Sequence, residues 1–285
     1  SVLKYTIFII SQTFAIGIYQ AAIPFMLSII AVYLIKYSFD EDNISWKNYL
    51  GCIFKWAVLC IASMMLYFIV TFSWLEITGI KLAKYQNINN WGVGSVSDYL
   101  QRIFLTYRHI VFDRINSSED MFPMSIRFFY YGILILIAAS ACVIIIKTFR
   151  KSKAKGIQSA VLLLLFPVAV NFIYVMCGKE SNIHSLMQFS RIFIFVLLCL
   201  LIETAAKYAY INEKKLKFLR LGTLALFGIM GFLYIRLANV CYVKATFIQA
   251  RAISYFTTLQ TRIQSIPGYR AEYPVVFVND RKKSL

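Results

Sequence analysis

The chain has 285 residues, of which 60% are hydrophobic and only 15% are charged, and its formal net charge at pH 7 is +17. This composition argues against a water-soluble enzyme, because a soluble domain of this length would lack the polar groups needed to cover its apolar surface. The positive charge does not predict nucleic acid as a partner, since membrane proteins concentrate Lys and Arg in cytoplasmic loops and against anionic lipid headgroups.

The first apolar stretch, Tyr5 to Tyr37, is too long for one untilted transmembrane helix. A span needs about 20 residues, because each residue rises about 1.5 Å. Gly17, Gln20 and Pro24 lie near its middle, so we expect two helical pieces that meet at Tyr19-Gln20. The chain enters this stretch without a basic region or cleavage site typical of a signal peptide, and its start is expected to lie upstream.

Five later stretches are each long enough to cross a bilayer: Ile53 to Ser73, Arg127 to Ile146, Gln158 to Cys177, Met187 to Ala206 and Leu221 to Val240. The predicted fold class is therefore mainly α, a polytopic transmembrane helix bundle over residues 1–240. A small αβ extracytoplasmic tail is expected over residues 241–285.

Two connectors with five basic residues each decide the orientation of these spans. They lie two spans apart, so they share a face, and the positive-inside rule makes that face the cytoplasm. The opposite face receives the loop 74–126, the turn 178–184 and the tail. The basic residues are Lys147, Arg150, Lys151, Lys153 and Lys155 in one connector and Lys207, Lys214, Lys215, Lys217 and Arg220 in the other.

Val96 to Phe112 in the long outer loop has the pattern of an amphipathic helix on the membrane surface. We expect the apolar face to carry Tyr99, Ile103, Tyr107 and Ile110, opposite Arg102, Arg108 and Arg114. Such a helix either packs on the bundle or contacts a phosphorylated substrate. His109 is interpreted as a surface residue.

The tail shows a second helical pattern from Val243 to Ile266, which Pro267-Gly268 ends. Tyr273 to Val278 then has the apolar composition of a buried strand. Arg251, Arg262 and Arg270 form a solvated face or meet phosphates.

Arg191 lies one turn into its span from the outer side, and Gln188 and His184 precede it on about the same face. A guanidinium matches phosphate oxygens bidentately, so this stripe can hold a lipid phosphate. The alternative is that Arg191 simply extends to the headgroups. Arg236 lies at a similar depth and can frame the same anionic group, whereas Glu203 is expected to pair with Lys207.

The six cysteines all lie in or beside apolar spans without CxxC or Cys/His spacing. Neither a disulfide framework nor a metal site is predicted, and no cofactor is expected.

The segments IGIYQAAIP (16–24) and FSRIFIFVLL (189–198), with the basic connectors and the outer tail, resemble the bacterial O-antigen-modifying, serotype-converting glucosyltransferases of the Gtr type. The resemblance covers most of the chain and implies the GT-C architecture. It also implies transfer of glucose from undecaprenyl phosphate to the lipopolysaccharide O-antigen, at the periplasmic side of the bacterial inner membrane. A companion flippase is a further expected partner.

The resemblance places the catalytic acid in a first outer loop upstream of this chain, so the catalytic residues stay unassigned. The supporting acids considered are Glu76, Asp98, Asp113, Glu119, Asp120 and Glu180. Substrate binding is assigned to Arg191, Gln188, His184, Glu180, Lys179, Tyr19, Gln20 and Arg236. Tyr19, Trp74, Tyr85 and Trp91 either stack on sugar rings or form an aromatic belt at the interface.

Two other classes remain open from the sequence. A polyprenyl-lipid or sugar transporter without covalent chemistry would show repeated span patterns and acidic or broken helices at mid-membrane, and no repeat is visible. A noncatalytic assembly subunit is the second alternative.

Overall fold

The computed structural model describes residues 2–19, 21–40, 46–80, 94–112, 124–177, 183, 185–270 and 272. These residues form helices only, and among them no strand occurs. In chain order they are α1 (Val2–Ile18), α2 (Ala22–Asp40), α3 (Trp46–Thr78), α4 (Val96–Val111), α5 (Met124–Lys151), α6 (Lys153–Val170), α7 (Phe172–Met176), a 3-10 helix (Ser185–Ile192), α8 (Phe193–Tyr208) and α9 (Glu213–Gln264).

Six helical segments within the described residues are long and apolar enough to cross a membrane. They belong to α2, α3, α5, α6, α9 and the 3-10 helix joined to α8. Many of their large apolar side chains are exposed, for example Phe54 at 71% and Phe128 at 73%. Such surfaces are typical of helices that face lipid. The prediction of a mainly α, polytopic bundle is confirmed.

The first apolar stretch is broken where the sequence predicts it. α1 ends at Ile18 and α2 begins at Ala22, and the amide of Ala22 donates to the carbonyl of Tyr19 at 2.8 Å across the turn. Pro24 lies in the first turn of α2, where its missing N–H costs no helical hydrogen bond.

The predicted span Gln158 to Cys177 is also interrupted, which the sequence analysis did not foresee. Pro167 lies inside α6, the helix ends at Val170, and Asn171 has φ −105° and ψ 27°. A proline in a helix interior removes one backbone hydrogen bond and crowds the preceding turn. The chain resumes as the short α7, in which Ile173 is fully buried and Tyr174 nearly so.

α2 packs against α6, and α5 packs against both α6 and α8, so these four helices form the centre of the bundle. α1 lies along α3. The contact between α5 and α6 is close at Gly156, where a Cβ atom would lie 2.4 Å from the Phe149 ring. Glycine is therefore needed there for the two helices to approach.

The two basic connectors meet at one end of the bundle. The Lys151 ammonium lies 5.3 Å from the centre of the Tyr208 ring, which joins the end of α5 to the end of α8. The expected pair of Glu203 with Lys207 is wrong. Glu203 instead accepts two hydrogen bonds from Arg220 at 2.6 and 2.8 Å, because the turn after α8 brings α9 back alongside it.

The described chain divides into two units, Ser1–Met230 and Gly231–Leu285, and the division falls inside α9. The predicted span Leu221 to Val240 and the predicted tail helix form one continuous helix of 52 residues. It contains far more than the roughly 20 residues that one span needs. Gly268 has φ +82° after its end, whereas the predicted strand Tyr273 to Val278 lies outside the described residues.

Candidate functional site

The segment that carries Gln188 and Arg191, Ser185–Ile192, has 3-10 geometry rather than that of an α-helix, with a kink at Gln188, whose backbone angles (φ −108°, ψ 15°) are not helical. Both side chains are half-buried, and both donate hydrogen bonds to residues of the α6–α7 break.

The two bonds run in parallel between the 3-10 helix and α7. Nε of Arg191 donates to Oδ1 of Asn171 at 3.1 Å, and Nε2 of Gln188 donates to the Tyr174 hydroxyl at 2.9 Å. Asn171 and Tyr174 are three residues apart, as are Arg191 and Gln188. The break in the span therefore positions the predicted pair.

The same two residues contact α4 on the other side. Nδ2 of Asn171 donates to the Thr106 carbonyl at 2.8 Å. The Tyr174 ring stacks on His109 with 4.0 Å between ring centres and 14° between planes. The interpretation of His109 as a surface residue is wrong, because α4 turns this ring onto α7. Asn171 and Tyr174 thus join α4 to the 3-10 helix.

Arg102 contributes a second guanidinium to this region. The prediction that it lies opposite the apolar face of α4 is wrong, since its residue is only 5% exposed. Its Nη1 donates to the Val175 carbonyl at 3.3 Å, and its guanidinium lies 5.1 Å from the Tyr99 ring centre. The reason is helical spacing: a residue three positions after Tyr99 shares its face.

α4 itself is confirmed as a helix, from Val96 to Val111, with a capping box formed by Ser95 and Asp98. Three tyrosine hydroxyls fix it to the bundle: Tyr107 donates to the Leu164 carbonyl at 2.6 Å, Tyr130 to that of Ile110 at 2.9 Å and Tyr131 to that of Val111 at 2.8 Å. Burial raises the pKa of Tyr107, which keeps this phenol a neutral donor. α4 is therefore anchored along its C-terminal half.

Aromatic rings from the first helix break and from α2 contact Phe189, two residues before Arg191. Tyr19 stacks on Phe189 with 6.2 Å between ring centres, and Phe25 lies 5.1 Å from the same ring. Tyr19 is 38% exposed, so part of its face is open to a ligand. The structure thus brings Tyr19 to the same segment as Gln188 and Arg191.

The described part of the structure does not test the other predicted binding residues. Gln20, Lys179, Glu180 and His184 lie outside the described residues. Arg236 belongs to the second unit, so its role beside Arg191 stays a prediction.

Of the supporting acids considered, the described part of the chain contains Glu76 and Asp98. Glu76 is exposed near the end of α3, while Asp98 accepts from the Ser95 backbone N–H at 3.0 Å. Asp113, Glu119 and Asp120 lie outside the described residues, as does Glu180.

The chemistry offered by this cluster is anion binding. Arg102 and Arg191 place two guanidinium groups in this region, and each is oriented by a hydrogen bond to an amide oxygen. A guanidinium matches the oxygens of a phosphate. Among the described residues, no group of three or more His, Cys, Asp or Glu side chains can hold a metal ion.

Comparison with known proteins decides the family. A family model described as Glucosyl transferase GtrII matches residues 2–195. The chain belongs to this family. The protein is therefore a membrane glucosyltransferase. The resemblance inferred from its sequence is confirmed. No curated protein and no solved structure matches the chain.

The match includes α1 to α7 and the 3-10 helix. The family region thus includes α4 with its Arg102. It also includes Asn171, Tyr174, Gln188 and Arg191. Membership in the family implies a sugar donor and a glycan acceptor in general terms. It assigns no role to an individual side chain.

Sequence reasoning missed Asn171 and Tyr174 as partners of the site, and it placed Arg102 on the wrong face of α4. A signal existed for Asn171, since it is a polar residue inside an apolar span and follows Pro167 by one turn. Polar residues in spans face partners or cavities because burial in hydrocarbon is costly.

Proposed function

We propose that this glucosyltransferase transfers glucose from an undecaprenyl-phosphate-linked donor to the lipopolysaccharide O-antigen, at the periplasmic face of the bacterial inner membrane. The observation that carries the proposal is the guanidinium of Arg191, held by Asn171 in a membrane protein of a glucosyl transferase family. The GtrII family supports the sugar transfer, and the cationic cluster supports a phosphate-linked donor.

In this reaction the bond between glucose C1 and the donor phosphate oxygen breaks, and a bond from C1 to the acceptor hydroxyl oxygen forms. The electron pair of the broken bond leaves with the phosphate, so negative charge grows there. Arg191 stabilises that charge, because a fixed cation in a water-poor site acts strongly on charge that develops in the transition state. The hydroxyl proton passes to a general base, a role that is given to no described residue.

The donor's polyprenyl chain requires an apolar surface beside the phosphate site. α4 offers such a surface, since Val96, Leu100 and Phe104 are 79%, 65% and 67% exposed. Tyr19 stacks on Phe189, two residues before Arg191, and offers an aromatic face on which a sugar ring can stack. In this proposal the polyprenyl chain lies on the apolar surface of α4, the phosphate binds Arg191 and the sugar stacks on Tyr19.

The test is glucose transfer in vitro. Membranes that contain the full-length protein are mixed with undecaprenyl-phosphoglucose and purified O-antigen, and the consumed donor and glucosylated polysaccharide are measured. We expect the donor to be consumed and glucosylated polysaccharide to form in the same incubation. A transporter would move the donor lipid without consuming it, and an assembly subunit would leave it unchanged, so intact donor after incubation would contradict the proposal.

A further inference from the structure

We propose that Asn171 is a positioning residue of the donor-binding site, which fixes the Arg191 guanidinium and α4 around one lipid-linked phosphate. The inference rests on the proposed function, because the ligand is taken to be the phosphate of a polyprenyl donor. It goes further by giving a role to a residue to which the family match assigns none.

The geometry of the Asn171 amide carries the first step. Its Oδ1 accepts from Nε of Arg191 at 3.1 Å, and its Nδ2 donates to the Thr106 carbonyl at 2.8 Å. Asn171 is 0% exposed. Both ends of one buried amide are thus used to join two separate segments of the chain, and the side chain has no freedom to turn.

The second step concerns the direction of Arg191. The hydrogen bond at Nε restricts the rotation of the Arg191 guanidinium. In the proposal, the donor phosphate binds this oriented guanidinium in the bidentate form that suits the ion. Without Asn171 the Arg191 side chain can adopt more rotamers. The entropy lost when it is ordered then weakens the binding of each donor molecule.

The third step is the second cation. Arg102 lies one turn before Thr106 on α4, is 5% exposed and is held by the Val175 carbonyl. Gly94 leaves room for it, since a Cβ atom there would lie 3.0 Å from Nη2 of Arg102. Because Asn171 holds the Thr106 carbonyl, it also fixes the turn of α4 that follows Arg102.

Ser190 provides a matched control at the same helix break. Its hydroxyl is fully buried and donates to the Val170 carbonyl at 2.6 Å, so Ser190→Ala removes one buried hydrogen bond next to Asn171. This bond links the Ser190 hydroxyl to a backbone carbonyl, and neither the Arg191 side chain nor α4 takes part in it. A change that merely loosens the break will therefore be visible in Ser190→Ala as well.

The experiment compares the full-length protein with Asn171→Ala and Ser190→Ala in phosphatidylcholine nanodiscs. Two quantities are measured: the dissociation constant for undecaprenyl phosphate without sugar, and the kcat and KM for undecaprenyl-phosphoglucose. In Asn171→Ala we expect the dissociation constant and the donor KM to rise about tenfold, the ratio that one charge-assisted hydrogen bond contributes. In Ser190→Ala both stay within about twofold.

The donor KM distinguishes positioning from folding. A variant that only lowers the folded fraction lowers apparent kcat and leaves KM unchanged. Equal constants for Asn171→Ala and the unchanged protein would overturn the proposal, and so would an equal rise in both variants. Binding of undecaprenyl phosphate without glucose transfer would contradict the proposed function while leaving the Asn171 inference intact. Absence of binding in the unchanged protein would overturn the inference itself.

Discussion

The cations at two ends of the bundle differ in their burial. Near the α6–α7 break, Arg102 is buried and Arg191 half-buried, and they donate hydrogen bonds to oxygens of Val175 and Asn171. Where α5 and α8 end, Lys151, Lys214 and Lys215 are exposed. There Arg220 binds a carboxylate, that of Glu203.

The difference follows from what burial costs. A charge removed from water is tolerated where it is oriented by polar partners and serves a ligand or a partner group, because its desolvation is expensive. Exposed lysines lose little hydration and can accumulate, and their main effect is on the orientation of the chain in the membrane. The buried arginines are therefore expected to govern donor binding and the exposed lysines to govern topology.

The largest expected effect concerns topology, since it is all or none. Single cysteines at Lys151 and Lys215, in a background without the native cysteines, should react with a membrane-impermeant maleimide only after the cells are opened. A cysteine at Ser95, before α4, should react in intact spheroplasts. Labelling of the Lys151 or Lys215 position from outside would reverse the orientation and remove the contrast between the two ends.

A large effect on activity is expected from Arg191→Ala. Loss of one fixed electrostatic donor to a developing charge costs about 2.7–4 kcal/mol, so kcat/KM should fall at least about 100-fold. Arg191→Lys should recover only part of it, because an ammonium is a point charge without the bidentate fork. Glucose transfer measured at matched protein levels provides the value.

Lys215→Ala is the control for that measurement, because it removes an exposed cation at the other end of the bundle. Transfer by this variant should equal that of the unchanged protein. If Arg191→Ala also retained transfer within twofold, Arg191 would have no role in donor chemistry and the distinction between buried and exposed cations would be lost.

The smallest effect is expected from Glu203→Gln. The carboxylate binds Arg220 bidentately, but both side chains are about half exposed, and exposed pairs contribute little because water and salt screen them. Activity and thermal unfolding in detergent should remain unchanged. A clear loss of thermal stability would show that this pair holds α9 against α8.

Much of the fold could be predicted because hydrophobicity and length alone decide which segments can cross a bilayer. The helix break at Tyr19 and the spans in α3 and α5 follow from that rule. The interruption of the predicted span Gln158 to Cys177 at Asn171 could not be inferred from hydrophobicity and length, since apolar residues continue on both sides of it. Local backbone geometry after Pro167 and the hydrogen bonds of Asn171 produce the break.

The roles of the candidate site residues stay predictions, but part of their arrangement could be inferred from the sequence. Arg191, Gln188 and Tyr19 lie on neighbouring segments, since Gln188 and Arg191 are close in the chain and Tyr19 contacts Phe189 between them. Their partners come from α4 and α7, which are far away along the chain, and no local pattern reports such contacts. Arg102 shows the limit most clearly, since a charged residue on a loop helix is normally assigned to water.

The sequence by itself determined that the protein crosses a membrane, which connectors are basic and to which glycosyltransferase type it is similar. Each of those properties depends on many residues, so a wrong interpretation of any single residue does not change it. Only the tertiary structure decided that Asn171 and Tyr174 join α4 to the 3-10 helix, and that Arg102 points inward. These features depend on single hydrogen bonds between distant segments, which form only once the helices have packed.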